Sequence, residues 1–167
     1  MGKKQHLHHA PDTLEIGVIT VSTTRTGTED KSGLWIRKQA EKEGHRVAAY
    51  SIVPDNRALI VREVVENFSI HRLHALLLTG GTGMGASDVT IEAVRPLFSK
   101  EMTAFAALFT RLSFEKIDSA ALLSRAAAGI IQKTAVFCLP GSLDACKLGC
   151  NDLIFPDLKH IAAHLVQ

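Results

Sequence analysis

The sequence has few cysteines, little net charge and no long apolar run, and each shortage excludes a class of protein. Its three cysteines are an odd number without C-x-x-C spacing, which argues against a disulfide framework and a structural zinc site and is typical of the reducing cytoplasm. No apolar run approaches the roughly 18 residues that a membrane span needs. A net charge of +2 without a basic stripe interleaved with aromatics does not indicate nucleic-acid binding. We therefore expect a globular cytoplasmic protein without a membrane or nucleic-acid partner.

The length and the first residues predict one domain behind a short tail. A chain of 167 residues fits a single core, since such cores extend to about 250 residues. The basic, histidine-rich start lacks the continuous apolar segment of a secretory signal. Residues 1–12 are expected to be a flexible tail and residues 13–167 one domain. His6, His8 and His9 could bind a metal, although a solvated terminus is the favoured interpretation.

Apolar segments of strand length alternate with segments of helical periodicity. The pattern predicts strands at residues 14–21, 47–53, 74–78 and 135–139. It predicts helices at residues 30–44, 56–69, 89–98, 104–114, 119–131, 141–154 and 156–166. Asp30 or Ser32 would cap the first helix, and Cys146 and Cys150 would share one helix face as small buried side chains. Such alternation predicts an α/β three-layer sandwich, with a mostly parallel central sheet and helices on both faces.

A loop with four glycines follows the third predicted strand, in the segment LLLTGGTGMGASD. Gly81 to Ala86 fit the spacing of a dinucleotide fingerprint, but that motif belongs to the first β–α turn and needs an acid about 20 residues later. Counted from Gly80, the spacing is that of a phosphate-binding P-loop, with Ala86 where the lysine must stand. What remains is a loop whose backbone N–H groups could hold a phosphate. A tight turn is the alternative.

Two acids and a second glycine turn also follow predicted strands. The carboxyl ends of parallel strands converge, so Asp55 and Asp88 are expected near the glycine loop. Two carboxylates beside a phosphate site suit Mg²⁺ with a nucleoside triphosphate, although Asp88 alone could be a helix cap. The turn from Pro140 to Ser142 could be a second anion site, or a turn with a serine cap.

The segments TVSTTRTGTEDKSG, IVPDN, LLLTGGTG, DVTIEA and LPGS together resemble the MoaB/MogA family of molybdenum cofactor biosynthesis proteins, and the MoaB branch in particular. The resemblance covers roughly residues 14 to 165. It implies that residues 13–167 form a single molybdopterin-binding domain. It further implies a molybdopterin adenylyltransferase, in which Mg-ATP and molybdopterin give adenylyl-molybdopterin and pyrophosphate.

The resemblance also assigns roles to individual residues. Asp55 and Asp88 would be catalytic and would bind Mg²⁺. Nucleotide phosphates would be bound by Thr79, Gly80, Gly81, Thr82 and Gly83. Molybdopterin would be bound by Ser22, Asp30, Ser32, Gly33, Ser124, Arg125, Pro140, Gly141 and Ser142.

The sequence departs from the family pattern in three places. Ser87 stands where many members carry a basic residue, Thr23 where an acid is expected, and residues 102–104 replace a proline-glycine segment. These departures favour a rival hypothesis, a non-catalytic molybdopterin carrier of the same fold, whereas Asp55 with Asp88 favours the enzyme. The resemblance also implies a homotrimer or hexamer and a downstream metal-insertion protein as a further partner.

Overall fold

Strands and helices alternate along the computed structural model, which describes residues 11–166. The first half contains β1 (Glu15–Val21), α1 (Lys31–Lys42), β2 (Arg46–Val53), α2 (Arg57–Ile70) and β3 (Ala75–Thr79). The second half contains α3 (Thr90–Val94), β4 (Lys100–Glu101), α4 (Thr103–Ile117), β5 (Ala127–Ile131), β6 (Thr134–Leu139), α5 (Leu143–Leu148) and α6 (Leu158–Val166). The predicted tail lies almost wholly outside the described residues, as do its three histidines.

Six strands form one sheet in the order β2-β1-β3-β6-β5-β4. β1 pairs in parallel with β2 and β3, and β3 pairs in parallel with β6. β5 and β4 complete the other side as antiparallel strands. The prediction that the four apolar segments share one mostly parallel sheet is therefore confirmed. Because β1, β2, β3 and β6 run in the same direction, the loops that follow them meet at one edge.

Helices cover both faces of this sheet, as a three-layer sandwich requires. Alternate side chains of β3 point to opposite faces, so Leu77 packs into one core and Leu76 and Leu78 into the other. The first core is closed by α1, α4, α5 and α6, and the second by α2 and α3. None of the helices within residues 11–166 is long and apolar enough to cross a membrane.

The prediction of a helix at residues 119–131 is wrong. A 3₁₀ turn spans Asp118–Leu123, and Ala127–Ile131 forms β5, which pairs with β6. Its alanines favour a helix by intrinsic propensity, but sheet pairing and burial decide the outcome. Gly129 fits this strand where a larger residue would not, because a Cβ there would lie 2.4 Å from the Phe98 ring. The helix predicted at residues 89–98 is also shorter than expected and ends in a 3₁₀ turn that contains a proline.

The three cysteines are buried free thiols, as the sequence indicated. Burial raises the pKa of Cys138 to about 12 and that of Cys146 to about 11. Since the thiolate is the reactive form, we expect no fast reaction with a thiol reagent at pH 8 in the native protein, and three reactive thiols after unfolding in guanidinium chloride. A native thiol that reacted as fast as free cysteine would contradict this burial.

Candidate functional site

A cleft of about 360 Å³ opens where the loops after the parallel strands meet. Ten of the residues predicted for the site line it: Ser22, Asp55, Gly80, Gly81, Thr82, Gly83, Asp88, Ser124, Pro140 and Gly141. Six predicted residues do not line it: Asp30, Ser32, Gly33, Thr79, Arg125 and Ser142. The topology of the sheet thus brings together most of the predicted site, from the loops after the four parallel strands and from the segment before β5 that carries Ser124.

The glycine loop after β3 needs glycine at two positions for conformational reasons. Gly80 and Gly81 have φ angles of +100° and +62°. A Cβ on Gly80 would lie 2.2 Å from the backbone oxygen of Val21, and one on Gly81 would lie 2.4 Å from the hydroxyl of Thr90. That hydroxyl donates to the Gly80 carbonyl at 2.8 Å, and the Thr90 amide donates to the Gly81 carbonyl at 2.9 Å. The loop is therefore held tightly between β1 and the start of α3.

The next two glycines make room for the carboxylate of Asp88. A Cβ on Gly83 or Gly85 would lie 2.8 or 2.9 Å from Asp88 Oδ2. Oδ2 accepts a hydrogen bond from the Gly85 amide at 2.8 Å, and Oδ1 accepts none from the described residues. The interpretation of Asp88 as a helix cap is wrong, because Val89 holds the cap position of α3 and makes no side-chain cap bond. The chain therefore folds closely around one oxygen of this acid.

Asp55 is also hydrogen-bonded through only one of its two carboxylate oxygens. Its Oδ2 accepts hydrogen bonds from the backbone amide and the hydroxyl of Thr23, both at 2.8 Å. Its Oδ1 accepts none from the described residues, and a Cβ on Gly81 would lie 3.0 Å from it. Thr23, which stands where the family pattern has an acid, thus orients Asp55 with one oxygen towards the glycine loop.

Arg25 provides a positive charge in the cleft that the sequence analysis missed. Its side chain is half-buried and lines the cleft, and its Nη2 donates to the Gly141 carbonyl at 3.1 Å. The Ser22 hydroxyl accepts from the Arg25 amide at 3.1 Å, and the Ser32 hydroxyl donates to the same Gly141 carbonyl at 2.8 Å. The sequence signal for Arg25 was its position in the TVSTTRT segment, which carries part of the family resemblance.

Arg125 supports the glycine loop from outside the cleft. Its Nε donates to the carbonyls of Thr82 and Gly83 at 2.9 and 3.1 Å, and its guanidinium binds both carboxylate oxygens of Glu92 on α3. The hydrogen bond with Glu92 raises the pKa of Arg125, and the same bond lowers the pKa of Glu92. Glu92 is the second residue that the sequence analysis missed, and it helps to fix the loop against the helix.

Asp30 is buried behind the cleft in a polar network. It caps α1, as predicted, by accepting from the Gly33 amide at 2.9 Å. The hydroxyls of Thr20 and Tyr50 donate to it at 2.5 and 2.7 Å. Burial, followed by this bond to Asp30, raises the pKa of Tyr50 to about 12. A Cβ on Gly33 would lie 2.1 Å from Asp30 Oδ2, so both residues form part of the wall.

Tyr50→Phe should therefore destabilise the fold. It removes one of the three donors to a buried carboxylate, and hydrogen bonds to charged groups are worth about 1.5 to 3 kcal/mol. We expect a free energy of unfolding lower by about that amount in urea denaturation, and a similar loss for Thr20→Val. Unchanged stability in both variants would contradict the network.

The turn after β6 packs against the glycine loop. A Cβ on Gly141 would lie 3.2 Å from Gly80 Cα, and the buried Thr79 hydroxyl donates to the Pro140 carbonyl at 3.0 Å. Ser142 caps α5 by accepting from the Ala145 amide at 3.3 Å. It lines a neighbouring groove of about 450 Å³, which shares Ser124 with the cleft.

Comparison with known proteins places these features in one family. The model of the family described as a probable molybdopterin binding domain matches residues 17–160. Molybdenum cofactor biosynthesis protein B of Bacillus subtilis (strain 168) is 48% identical over 166 residues, which cover 99% of this chain and 98% of that protein. A crystal structure of a molybdenum cofactor biosynthesis protein B has a TM-score of 0.90 at 40% identity, covering 94% of this chain and 98% of that one. The tungsten cofactor synthesizing protein MoaB from Pyrococcus furiosus has a TM-score of 0.85 at 37% identity, covering 95% of this chain and all of that one (100%). The chain belongs to the MoaB/MogA family of molybdenum cofactor biosynthesis proteins.

Proposed function

We propose that the protein acts in molybdenum cofactor biosynthesis as a molybdopterin adenylyltransferase that uses Mg-ATP. A phosphate oxygen of molybdopterin attacks the α-phosphorus of ATP, the bond from that phosphorus to the oxygen bridging the α- and β-phosphates breaks, and pyrophosphate leaves. The observation that carries this proposal is the pair Asp55 and Asp88. Each is fixed through Oδ2 and keeps Oδ1 without a hydrogen bond from the described residues, beside a glycine loop and an arginine.

The donor set of the cleft fits Mg²⁺. Magnesium is usually held by one or two carboxylates plus phosphate oxygens and water, so Asp55 and Asp88 would be its protein ligands. Among residues 11–166 no group of three or more His, Cys, Asp or Glu side chains is arranged to hold a metal. Bound there, Mg²⁺ would neutralise phosphate charge.

The other residues of the cleft would bind and orient the two phosphate groups. The backbone N–H groups of Gly81, Thr82 and Gly83 can donate to nucleotide phosphates, whereas that of Gly80 already donates to the Leu139 carbonyl at 3.0 Å. Arg25 is anchored to the Gly141 carbonyl, and a guanidinium fixed in this way can stabilise the charge that develops on the transferred phosphorus. Positioning and charge neutralisation are the main needs of such a transfer.

The neighbouring groove supports a place for molybdopterin. It is lined by Lys116, Lys147 and Ser142 and by one acid, Asp144, and it joins the cleft at Ser124. Its lining thus carries two positive charges against one negative charge, which would attract the phosphate of the pterin. Asp30, Gly33 and Arg125, which the family resemblance assigns to molybdopterin, would act here by holding the walls and the glycine loop in place.

A carrier without catalysis is the second candidate, and Thr23 is the observation that favours it. Its hydroxyl takes the place of an acid and binds Asp55, so the cleft has one negative group fewer for a metal. A carrier would bind molybdopterin but have no use for Mg-ATP.

Separate titrations of the two ligands distinguish these functions. An adenylyltransferase should bind molybdopterin and also a non-hydrolysable ATP analogue with Mg²⁺, as measured by isothermal titration calorimetry. Arg25→Ala should weaken binding of the analogue by about tenfold, the equivalent of one lost charge-assisted hydrogen bond. Arg62→Ala is the matched control, since Arg62 is exposed on α2 and does not line the cleft. Tight binding of molybdopterin without binding of the nucleotide analogue would contradict the adenylyltransferase and support the carrier.

We also propose a homo-oligomer, either a trimer or a hexamer. Several large apolar side chains on and after α4 are exposed in the single chain: Leu108, Phe114, Ile117, Leu122 and Leu123. Such a face is typical of a surface covered by another molecule. Light scattering coupled to size exclusion would measure the mass, and a monomer at micromolar concentration would contradict the proposal. Cytoplasmic localisation and a downstream metal-insertion partner stay predictions.

A further inference from the structure

Two histidines bind the start of the central strand β1 through their rings. His45 and His74 immediately precede β2 and β3, the strands on either side of β1. The Glu15 amide donates to His74 Nδ1 at 2.9 Å, and in return the His74 amide donates to the Glu15 carbonyl at 2.8 Å. The Leu14 amide donates to His45 Nδ1 at a longer 3.4 Å, and the Leu14 carbonyl accepts from the Arg46 amide at 2.9 Å. Each ring nitrogen therefore accepts from the backbone as a carbonyl oxygen does inside the sheet.

These two hydrogen bonds require neutral rings. A backbone amide can only donate, so Nδ1 of each ring is unprotonated and the ring proton is on Nε2. A second proton would enter at Nδ1 and turn the acceptor into a donor that faces the amide hydrogen. Histidine suits a change of this kind because its ordinary pKa is about 6.5. We propose that His45 and His74 form an acid-sensitive clamp, which holds residues 14 and 15 to the sheet while both rings are neutral and releases them when the rings are protonated.

The charged groups around the two rings favour the neutral form on balance. Burial is the largest cause that lowers the pKa of His45, and the charge of Lys159 on α6 lowers it further. Glu43, just after α1, raises that pKa, and His74 lowers it. Burial also lowers the pKa of His74, against the opposing charge of Glu15. Both rings thus stay neutral at a pH where an exposed histidine is already half protonated.

The remaining neighbours of the rings act in the same direction. Glu15 forms an ion pair with Arg46, which reduces its attraction for a proton on His74. His45 is 6% exposed, and its ring centroid lies 6.3 Å from that of Phe155. A positive charge on His45 would therefore be poorly solvated.

The lowered pKa values fix how stability depends on pH. Above about pH 6.5 both histidines are mostly neutral in the folded and in the unfolded chain, so the clamp contributes fully. As the pH falls below that value, the unfolded chain binds protons that the folded chain does not, and the free energy of unfolding decreases. The decrease continues until the pH passes the pKa of the rings in the folded chain.

The clamp and the candidate cleft lie at opposite ends of β1. The strand has seven residues and is therefore roughly 20 Å long, and its last residue, Val21, lines the cleft. Opening of the clamp does not depend on the proposed adenylyl transfer.

Asparagine substitutions separate the clamp from other titrating groups. Asparagine Oδ1 can accept the same amide hydrogen but has no proton to gain in this pH range. The free energy of unfolding is measured in urea from about pH 5.5 to 7.5 for the natural chain, for the double variant His45→Asn with His74→Asn, and for His71→Asn. At pH 6 the natural chain should take up about half a proton or more beyond the double variant on unfolding, as given by the slope of the free energy against pH. His71 is half-buried outside the clamp, so His71→Asn should keep the slope of the natural chain. Equal slopes in the natural chain and the double variant would overturn the proposal.

Nitrogen-15 NMR of the natural chain gives a second test that needs no substitution. At about pH 7.5 both rings should carry their proton on Nε2, and both should titrate below about pH 6.5. One pH unit below the measured pKa, the protection of the Leu14 and Glu15 amides against hydrogen exchange should have fallen by about tenfold or more relative to Ile19 in the middle of β1. A proton on Nδ1 of either ring at pH 7.5, a pKa of 6.5 or above, or unchanged protection would show that the two histidines are not an acid-sensitive clamp.

Discussion

Replacing Asp88 by asparagine should lower the rate of adenylyl transfer by at least about tenfold and leave the melting temperature close to that of the natural protein. The amide oxygen of asparagine can still accept the Gly85 amide, which Asp88 binds at 2.8 Å, so the loop should keep its shape. The negative charge available to Mg²⁺ is lost. Asp55→Asn should behave in the same way, because asparagine can still accept from the Thr23 amide. Initial rates of pyrophosphate release and thermal unfolding measure the two effects.

Asp12→Asn is the matched control for both acids. Asp12 is exposed and lines neither the cleft nor the neighbouring groove. Surface substitutions of this kind usually change stability by less than about 0.5 kcal/mol, so the rate and the melting temperature should stay close to those of the natural protein. If Asp55→Asn and Asp88→Asn both kept the full rate, the two carboxylates would serve only the structure of their loops.

Gly80→Ala should be among the most damaging single substitutions. Gly80 has a φ of +100°, and the added Cβ would lie 2.2 Å from the carbonyl oxygen of Val21 in the central strand β1. Neither backbone can move without breaking the pairing of β1 with β3. Strained φ angles cost of order 1 to 3 kcal/mol, and overpacking typically costs another 1 to 3. We expect at least about 3 kcal/mol less stability in urea denaturation, together with weaker nucleotide binding.

Gly27→Ala provides the comparison for Gly80→Ala. A Cβ on Gly27 would meet nothing within 4 Å, and its φ is not in the positive range. Its effect on stability should stay within about 0.5 kcal/mol. A cost below about 1 kcal/mol for Gly80→Ala would mean that the glycine loop is not held against β1 as the structure has it.

The parallel part of the fold could be predicted from sequence because its signals are local. The apolar segments that form β1, β2, β3 and β6 are short and bounded by polar residues or proline, and the helices between them have clear periodicity. The strand β5 could not be predicted in this way. Its alanines carry no strand signal, and its conformation depends on pairing with β6 and on contact of Gly129 with Phe98.

The candidate site was predictable wherever a residue directly follows a strand. Asp55 and the glycine loop fall in that class, because the direction of parallel strands fixes where their ends meet. Arg25 was missed although it lies in the TVSTTRT segment, because its position in the cleft depends on Gly141, which is 116 residues away. Asp30 shows the opposite error: it was expected to contact molybdopterin, but its carboxylate is buried among Thr20, Gly33 and Tyr50.

The central claim is tested most directly with ATP labelled in its α-phosphate. Purified protein is mixed with this nucleotide, Mg²⁺ and molybdopterin, and the pterin is separated by chromatography. An adenylyltransferase places the α-label on the pterin and releases unlabelled pyrophosphate, in equal amounts and only when Mg²⁺ is present. Tight binding of molybdopterin with no transfer of the α-label would contradict the enzyme and identify the protein as a carrier.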